Sequence, residues 1–256
     1  MINAVHLTNR KIENTKVVLN GAGAAGIACL KLMHSYGIKK ENIIACDTQG
    51  VIYKGRTTGM NKWKEEFANE TTTARTLEEA LNGADCFIGV SAAGALKGEY
   101  LASMAANPII FAMANPVPEI LPPVAKKLRP DAIVATGRSD FPNQINNVMC
   151  FPFLFRGTLD TRTREINEPM KLAAANALAM LAREPVPKEV ARAYAGTQFT
   201  FGPDYIMPTP FDPRLIDVVP RAVAQAAMDS GVARVHIKNW DEYHYQCKMR
   251  TAHTYF

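Results

Sequence analysis

The chain has 256 residues, 48% of them hydrophobic and 21% charged, which gives enough apolar mass for a large core and excludes a disordered or fibrous class. Its net charge of +5 is scattered, with no Lys and Arg run of the kind that forms a nucleic-acid-binding arm, so no nucleic-acid partner is expected. No stretch approaches the roughly 20 apolar residues of a membrane span, residues 1–16 lack a signal peptide's apolar block, and the five cysteines are widely spaced; a soluble, cytoplasmic protein with reduced thiols and no membrane partner is expected.

In chain order, residues 16–20 (KVVLN) read as a β-branched strand running into a glycine cluster, and residues 24–36 space apolar side chains as a helix does, stopping at Gly37. A second strand over 43–46 ends at Asp47 and completes a βαβ unit with a right-handed crossover. The polar residues 47–73 form a long excursion with a short helix around 61–68. Then follow a helix at 76–81, a strand at 86–90, a helix at 99–105, a strand at 109–112, a helix at 121–128 and a strand at 132–135. Such alternation predicts an α/β fold, a Rossmann-type doubly wound parallel sheet with helices on both faces. Beyond residue 136 the strand signal fades. Helices are predicted at 143–154, 168–183 and 220–230, with proline breaks at 184–187 and 208–213. These additional C-terminal helices are expected to cap the sheet and line a cleft within a single domain over 1–238, not to form a second one. Residues 239–256 show no clear periodicity and read as a C-terminal tail or linker stub.

The segment Gly21, Ala22, Gly23, Ala24, Ala25, Gly26 has the dinucleotide-binding spacing. The first glycine makes the turn, the second lets backbone approach a pyrophosphate, and the third lets helix and strand pack closely, while helix N-terminal amides hold the phosphates. A bare structural elbow is the competing reading. It is weakened by the preceding strand, the following helix, and Asp47 about twenty positions further on, where an acid accepts from the ribose hydroxyls and favours NAD over NADP. A capping role for Asp47 stays open. Arg56, Lys62 and Lys64 lie downstream, either as partners of a 2′-phosphate or as solvated surface charges.

Asn115 stands just past the strand at 109–112, where ligands bind in open α/β sheets; its amide can serve a nicotinamide carboxamide or a substrate, or can close an Asx-turn. Asn146 and Asn147 follow the next strand in a polar loop, as substrate contacts or as a helix cap. Ser91 lies in a small-residue loop after a third strand, either a surface for the cofactor's ribose and nicotinamide or small for packing alone. His6, His34, His236, His244 and His253 have no metal-binding spacing, and no metal ligand or Ser–His–Asp arrangement is nominated.

The strings NGAGAAGIA, CDTQGVIYKGR, FIGVSAAGALKGEYL, FAMANPVPE, ATGRSDFPNQINNV and FPFLFRGTLD, and PFDPRLIDVVPRAVAQAAMDSGVA further on, strongly resemble the NAD(P)-binding domain of bacterial malic enzymes (malate dehydrogenase, decarboxylating). The resemblance runs over residues 3–238. It implies an oxidoreductase with NAD or NADP as cofactor and a divalent cation (Mg or Mn) in the complete enzyme, converting malate to pyruvate and CO2 as a homo-oligomer. By the same resemblance, Gly21, Gly23 and Gly26 form the phosphate turn and Asp47 is the ribose-side acid. Asn115 contacts malate and the nicotinamide end, and one of Asn146 and Asn147 contacts malate. The family's Tyr and Lys acid–base pair and its metal ligands match nothing here, lying upstream of the residue matching Met1, so no catalytic residue is nominated in this chain. Cofactor binding without turnover is therefore the expectation, and a stand-alone nucleotide-binding or regulatory module is the alternative. An amino-acid or shikimate type of Rossmann dehydrogenase fits the Asn-Pro and Asn-Asn loops less well.

Overall fold

Short apolar runs, buried on both faces, make the centre of a six-stranded sheet in the computed structural model, which describes residues 1–252. The strands are β1 (Val17–Asn20), β2 (Ile43–Asp47), β3 (Gly50–Val51), β4 (Cys86–Gly89), β5 (Ile109–Ala112) and β6 (Ile133–Thr136). Their order is β3-β2-β1-β4-β5-β6; all neighbouring pairs are parallel except β2 with β3. The order reverses between β1 and β4, which is where a doubly wound sheet opens its ligand crevice. Register aligns the carboxyl ends: Asn20 pairs with Cys46 and Gly89, Gly89 with Ala112, and Ala112 with Thr136. The loops carrying the candidate site residues Ser91 and Asn115 therefore leave one edge.

The chain divides into two compact units at Ile145/Asn146. The first holds the sheet with helices α1 (Ile2–Leu7), α2 (Ala24–Tyr36), α3 (Lys62–Glu65), α4 (Leu77–Leu81) and α5 (Pro122–Leu128). Phe87, Ile110, Leu81, Leu101 and Val134 are among the buried residues of its core. The expected helix at 99–105 is instead a 3₁₀ segment, Gly98–Ser103. The Gly83 amide donates to the Ser103 carbonyl (2.8 Å) and the Ala105 amide to the Ala84 carbonyl (3.0 Å), which draws the chain away before full α-turns can close.

The residues expected to cap the sheet form the second unit, with α6 (Phe151–Asp160), α7 (Glu168–Arg183), α8 (Lys188–Ala193), α9 (Leu215–Asp229) and α10 (Trp240–Ala252). Met149, Met170, Leu181, Leu215, Val219 and Val223 bury against one another, giving this unit its own core. Gly157 lets α6 approach α9, since a Cβ there would meet the Pro220 carbonyl oxygen at 2.5 Å. The expected helix at 143–154 starts later. Asn143 has φ +56°, Asn146 is extended and caps a 3₁₀ turn at Asn147–Met149, and α6 opens with Pro152 in its first turn. The helix expected at 220–230 begins five residues earlier, at Leu215, after an Asx turn in which the Asp212 carboxylate accepts from the Arg214 amide (3.0 Å), and it holds Pro220 inside. Residues 240–252 form a helix where no periodicity was legible. His253 and the rest of 253–256 lie outside the described residues.

Candidate functional site

The glycine turn joins β1 to α2, and each glycine occupies a different environment. Gly21 has φ +110°, and a Cβ there would meet the Val90 carbonyl oxygen at 2.4 Å. Gly26 would drive a Cβ to 2.2 Å from the Gly21 carbonyl oxygen and 2.9 Å from the Leu19 side chain. A Cβ on Gly23 would meet no protein atom within 4 Å. The first glycine is thus required by the turn, the third by helix–strand packing, and the second opens onto free space. Ala22, Ala24 and Ala25 carry the chain between them, and Gly23 caps the N-terminus of the 13-residue α2 with no side-chain partner for the first amides. Such amides attract an anion.

A cleft of about 910 Å³ opens beside this turn, lined by Gly21, Gly23, Asp47, Lys64, Arg75 and Ser91 among others. At its β2 corner the Asp47 carboxylate is 11% exposed and accepts four hydrogen bonds from three groups. Arg56 Nη2 donates to both oxygens (2.8 and 2.9 Å), Lys64 Nζ to Oδ2 (2.6 Å), and the Gln49 amide to Oδ1 (2.8 Å). Burial works to raise the Asp47 carboxyl, but the hydrogen bonds from Lys64, Gln49 and Arg56 and the Arg56 charge outweigh it and hold it below the usual carboxylate range. Arg56, 5% exposed, also donates to the carbonyls of Gly50, Val51 and Thr58, so its guanidinium is fully engaged within the loop. Lys62 faces elsewhere, over the Trp63 indole at 4.7 Å, and does not line this cleft. The phase is set by Asn61, whose Oδ1 accepts from the amides of Trp63 and Lys64 (both 3.0 Å), starting α3 so that Lys64 reaches Asp47.

At the other end, Asn20 Nδ2 donates to Ser91 Oγ (3.0 Å) across the β1/β4 junction. Ser91 Oγ and its backbone amide donate to Glu119 Oε1 (3.0 and 2.8 Å), and the Ala114 amide donates to Glu119 Oε2 (3.0 Å). Asn115 follows directly, exposed, with a cis peptide to Pro116. Glu119 was not picked out from the sequence, where an acid behind two prolines reads as loop surface; Arg75, also on the cleft and stacked 3.8 Å from the Tyr53 ring, carried no signal either.

Asn146 and Asn147 belong to the second unit. Asn146 caps its 3₁₀ turn, accepting from the Val148 amide (3.0 Å), and Asn147 is exposed. Asn143 Nδ2 donates to the Val134 carbonyl (2.9 Å), pinning the preceding loop to β6. Burial pushes the Cys46 and Cys86 thiols up to about 12, which leaves them unreactive. Among the described residues no group of His, Cys, Asp and Glu is placed to hold a metal ion, and no helix is long and apolar enough to cross a membrane.

The profile of the family described as "Malic enzyme, NAD binding domain" matches residues 1–194. The chain is 58% identical over 250 residues to the probable NADP-dependent malic enzyme of Rickettsia prowazekii, covering 98% of this chain and 32% of that protein. It is 52% identical to the NAD-dependent malic enzyme of Rhizobium meliloti over 95% of this chain and 31% of that one. The chain therefore spans about a third of the length of these relatives. Among solved structures, the malic enzyme of Entamoeba histolytica superimposes with a TM-score of 0.85 at 32% identity, over 98% of this chain and 50% of that one. That of Pyrococcus horikoshii gives 0.84 at 33% identity, over 99% and 57%.

Proposed function

This chain belongs to the malic enzyme family as its NAD-binding domain, and from that premise we propose that it supplies the dinucleotide-binding part of an oxidative decarboxylation of malate to pyruvate and CO2. The observation that carries this reading is the glycine turn at the β1/β4 switch point, with an open Gly23 and uncapped α2 amides facing a cleft of about 910 Å³. These residues fit a dinucleotide. The pyrophosphate takes the amides of residues 23–25, the adenosine end lies at Asp47, and the nicotinamide end lies along Ser91 and Asn115. A bound nicotinamide supplies the hydride acceptor; the chain's own residues bind and orient it.

NADP is the favoured cofactor in this reading. An acid at the end of β2 ordinarily repels a 2′-phosphate, but here Arg56 and Lys64 neutralise Asp47, and Lys64 and Arg75 line the same corner as cations. Asn115 is assigned to the nicotinamide end and malate, and one of Asn146 and Asn147 to malate, as the family resemblance implies. The described residues do not fit a divalent cation, since no ligand cluster is present among them. We accordingly expect the chain alone to bind cofactor without turning over malate. Titration with NADPH, followed by energy transfer from tryptophan to the reduced nicotinamide, is expected to saturate. Malate- and Mn²⁺-dependent reduction of NADP⁺ by the purified chain would refute the absence of turnover.

A further inference from the structure

We propose that Glu119 is the positioning residue for the nicotinamide half of the cleft, tying three neighbouring strand ends into one surface. The proposal rests on the cofactor reading above. A fully buried carboxylate is costly unless its lone pairs are filled. Here one oxygen accepts both donors of Ser91, after β4, and the other accepts the amide of Ala114, after β5. Ser91 Oγ accepts in turn from Asn20, the last residue of β1. The main chain around Glu119 extends the tie, since its carbonyl accepts from Leu96 (3.1 Å) and that of Pro118 from Gly94 (3.2 Å). The residue that follows Ala114 is Asn115, and the loop that Ser91 opens faces the glycine turn. One carboxylate thus fixes the Ser91 wall of the cleft and, through the Ala114 amide, the start of the loop that carries Asn115, without itself lining the cleft.

Gly89 supports the assignment from the other side. A Cβ there would stand 2.3 Å from Glu119 Cδ and 2.5 and 2.7 Å from its oxygens, so this strand end is bare because the carboxylate fills the space above it. The adenosine corner around Asp47 shares none of these bonds. Loss of Glu119 should therefore act on one half of the cofactor only.

The test compares NADP⁺ with adenosine 2′,5′-bisphosphate, which carries the adenosine end alone, by calorimetric titration of the full chain. In Glu119→Gln, an amide nitrogen replaces one of the two accepting oxygens. NADP⁺ affinity should fall about tenfold, with the bisphosphate unchanged within about twofold, as expected for losing one to two hydrogen bonds. Gly89→Ala, which displaces the carboxylate, should give the same selective loss. If Glu119→Gln does not fold, Ser91→Ala decides, with a smaller loss for NADP⁺ alone. Equal losses for both ligands, no loss for either, or a wild-type chain that binds the two ligands equally would overturn the proposal. A wild-type chain that binds neither ligand would instead overturn the cofactor reading beneath it.

Discussion

The two ends of the cleft are built from different physics. At the β2 end a single carboxylate is held by two side-chain cations and one amide close to solvent. At the β4/β5 end a single carboxylate is held by a hydroxyl and two amides away from solvent. The first arrangement is sensitive to charge, salt and pH, and suits discrimination of a phosphate; the second is neutral on the donor side and insensitive to screening, and suits fixed geometry. Between them the shape of the glycine turn is set by close contacts at Gly21 and Gly26.

The largest expected effect lies at that turn. Gly26→Val forces a Cβ into the Gly21 carbonyl and should cost about 3 kcal/mol and abolish NADP⁺ binding, read by thermal unfolding and titration. Asp47→Ala leaves the guanidinium of Arg56 buried without its anion and should cost about 2 kcal/mol. The pH dependence of stability tests the Asp47 end by itself. Because the folded Asp47 carboxyl lies below its unfolded value, its contribution is complete above the ordinary carboxylate pKa of about 3.9 and is lost as pH falls through the lower folded value. Urea unfolding of the wild type and Asp47→Asn should therefore converge in acid.

Much of this cleft could be read from residue order, but the partner choices could not. The glycine spacing, the strand before it and Asp47 place the crevice, because each depends on local sterics. Which lysine meets Asp47 depends on the helical phase set by the Asn61 cap, so Lys62 and Lys64 are indistinguishable on spacing alone. Glu119 is invisible for a related reason: its burial comes from the convergence of the ends of β4 and β5, two strands that are separate in the sequence. Residues 143–154 read as one helix, but the left-handed backbone at Asn143 and the cap at Asn146 delay it to Phe151. For α10, aromatic and charged residues mingle around the helix, so no apolar stripe announces it.

Smaller effects separate the two lysines. Lys64→Gln should weaken NADP⁺ about tenfold and leave NAD⁺ within about twofold, with the NADP⁺ loss shrinking at high salt. Lys62→Gln, on the exposed Trp63 face, should change either affinity by less than about twofold. Equal losses from both variants would erase the distinction drawn at Asn61.

Calorimetric titration of the purified chain with NADP⁺ and, separately, NAD⁺ decides whether the glycine turn holds a dinucleotide and whether the Asp47 corner prefers NADP. Saturable binding of both, tighter for NADP⁺ and lost in Gly26→Val, is the predicted result; absence of binding by either at millimolar concentration would contradict it.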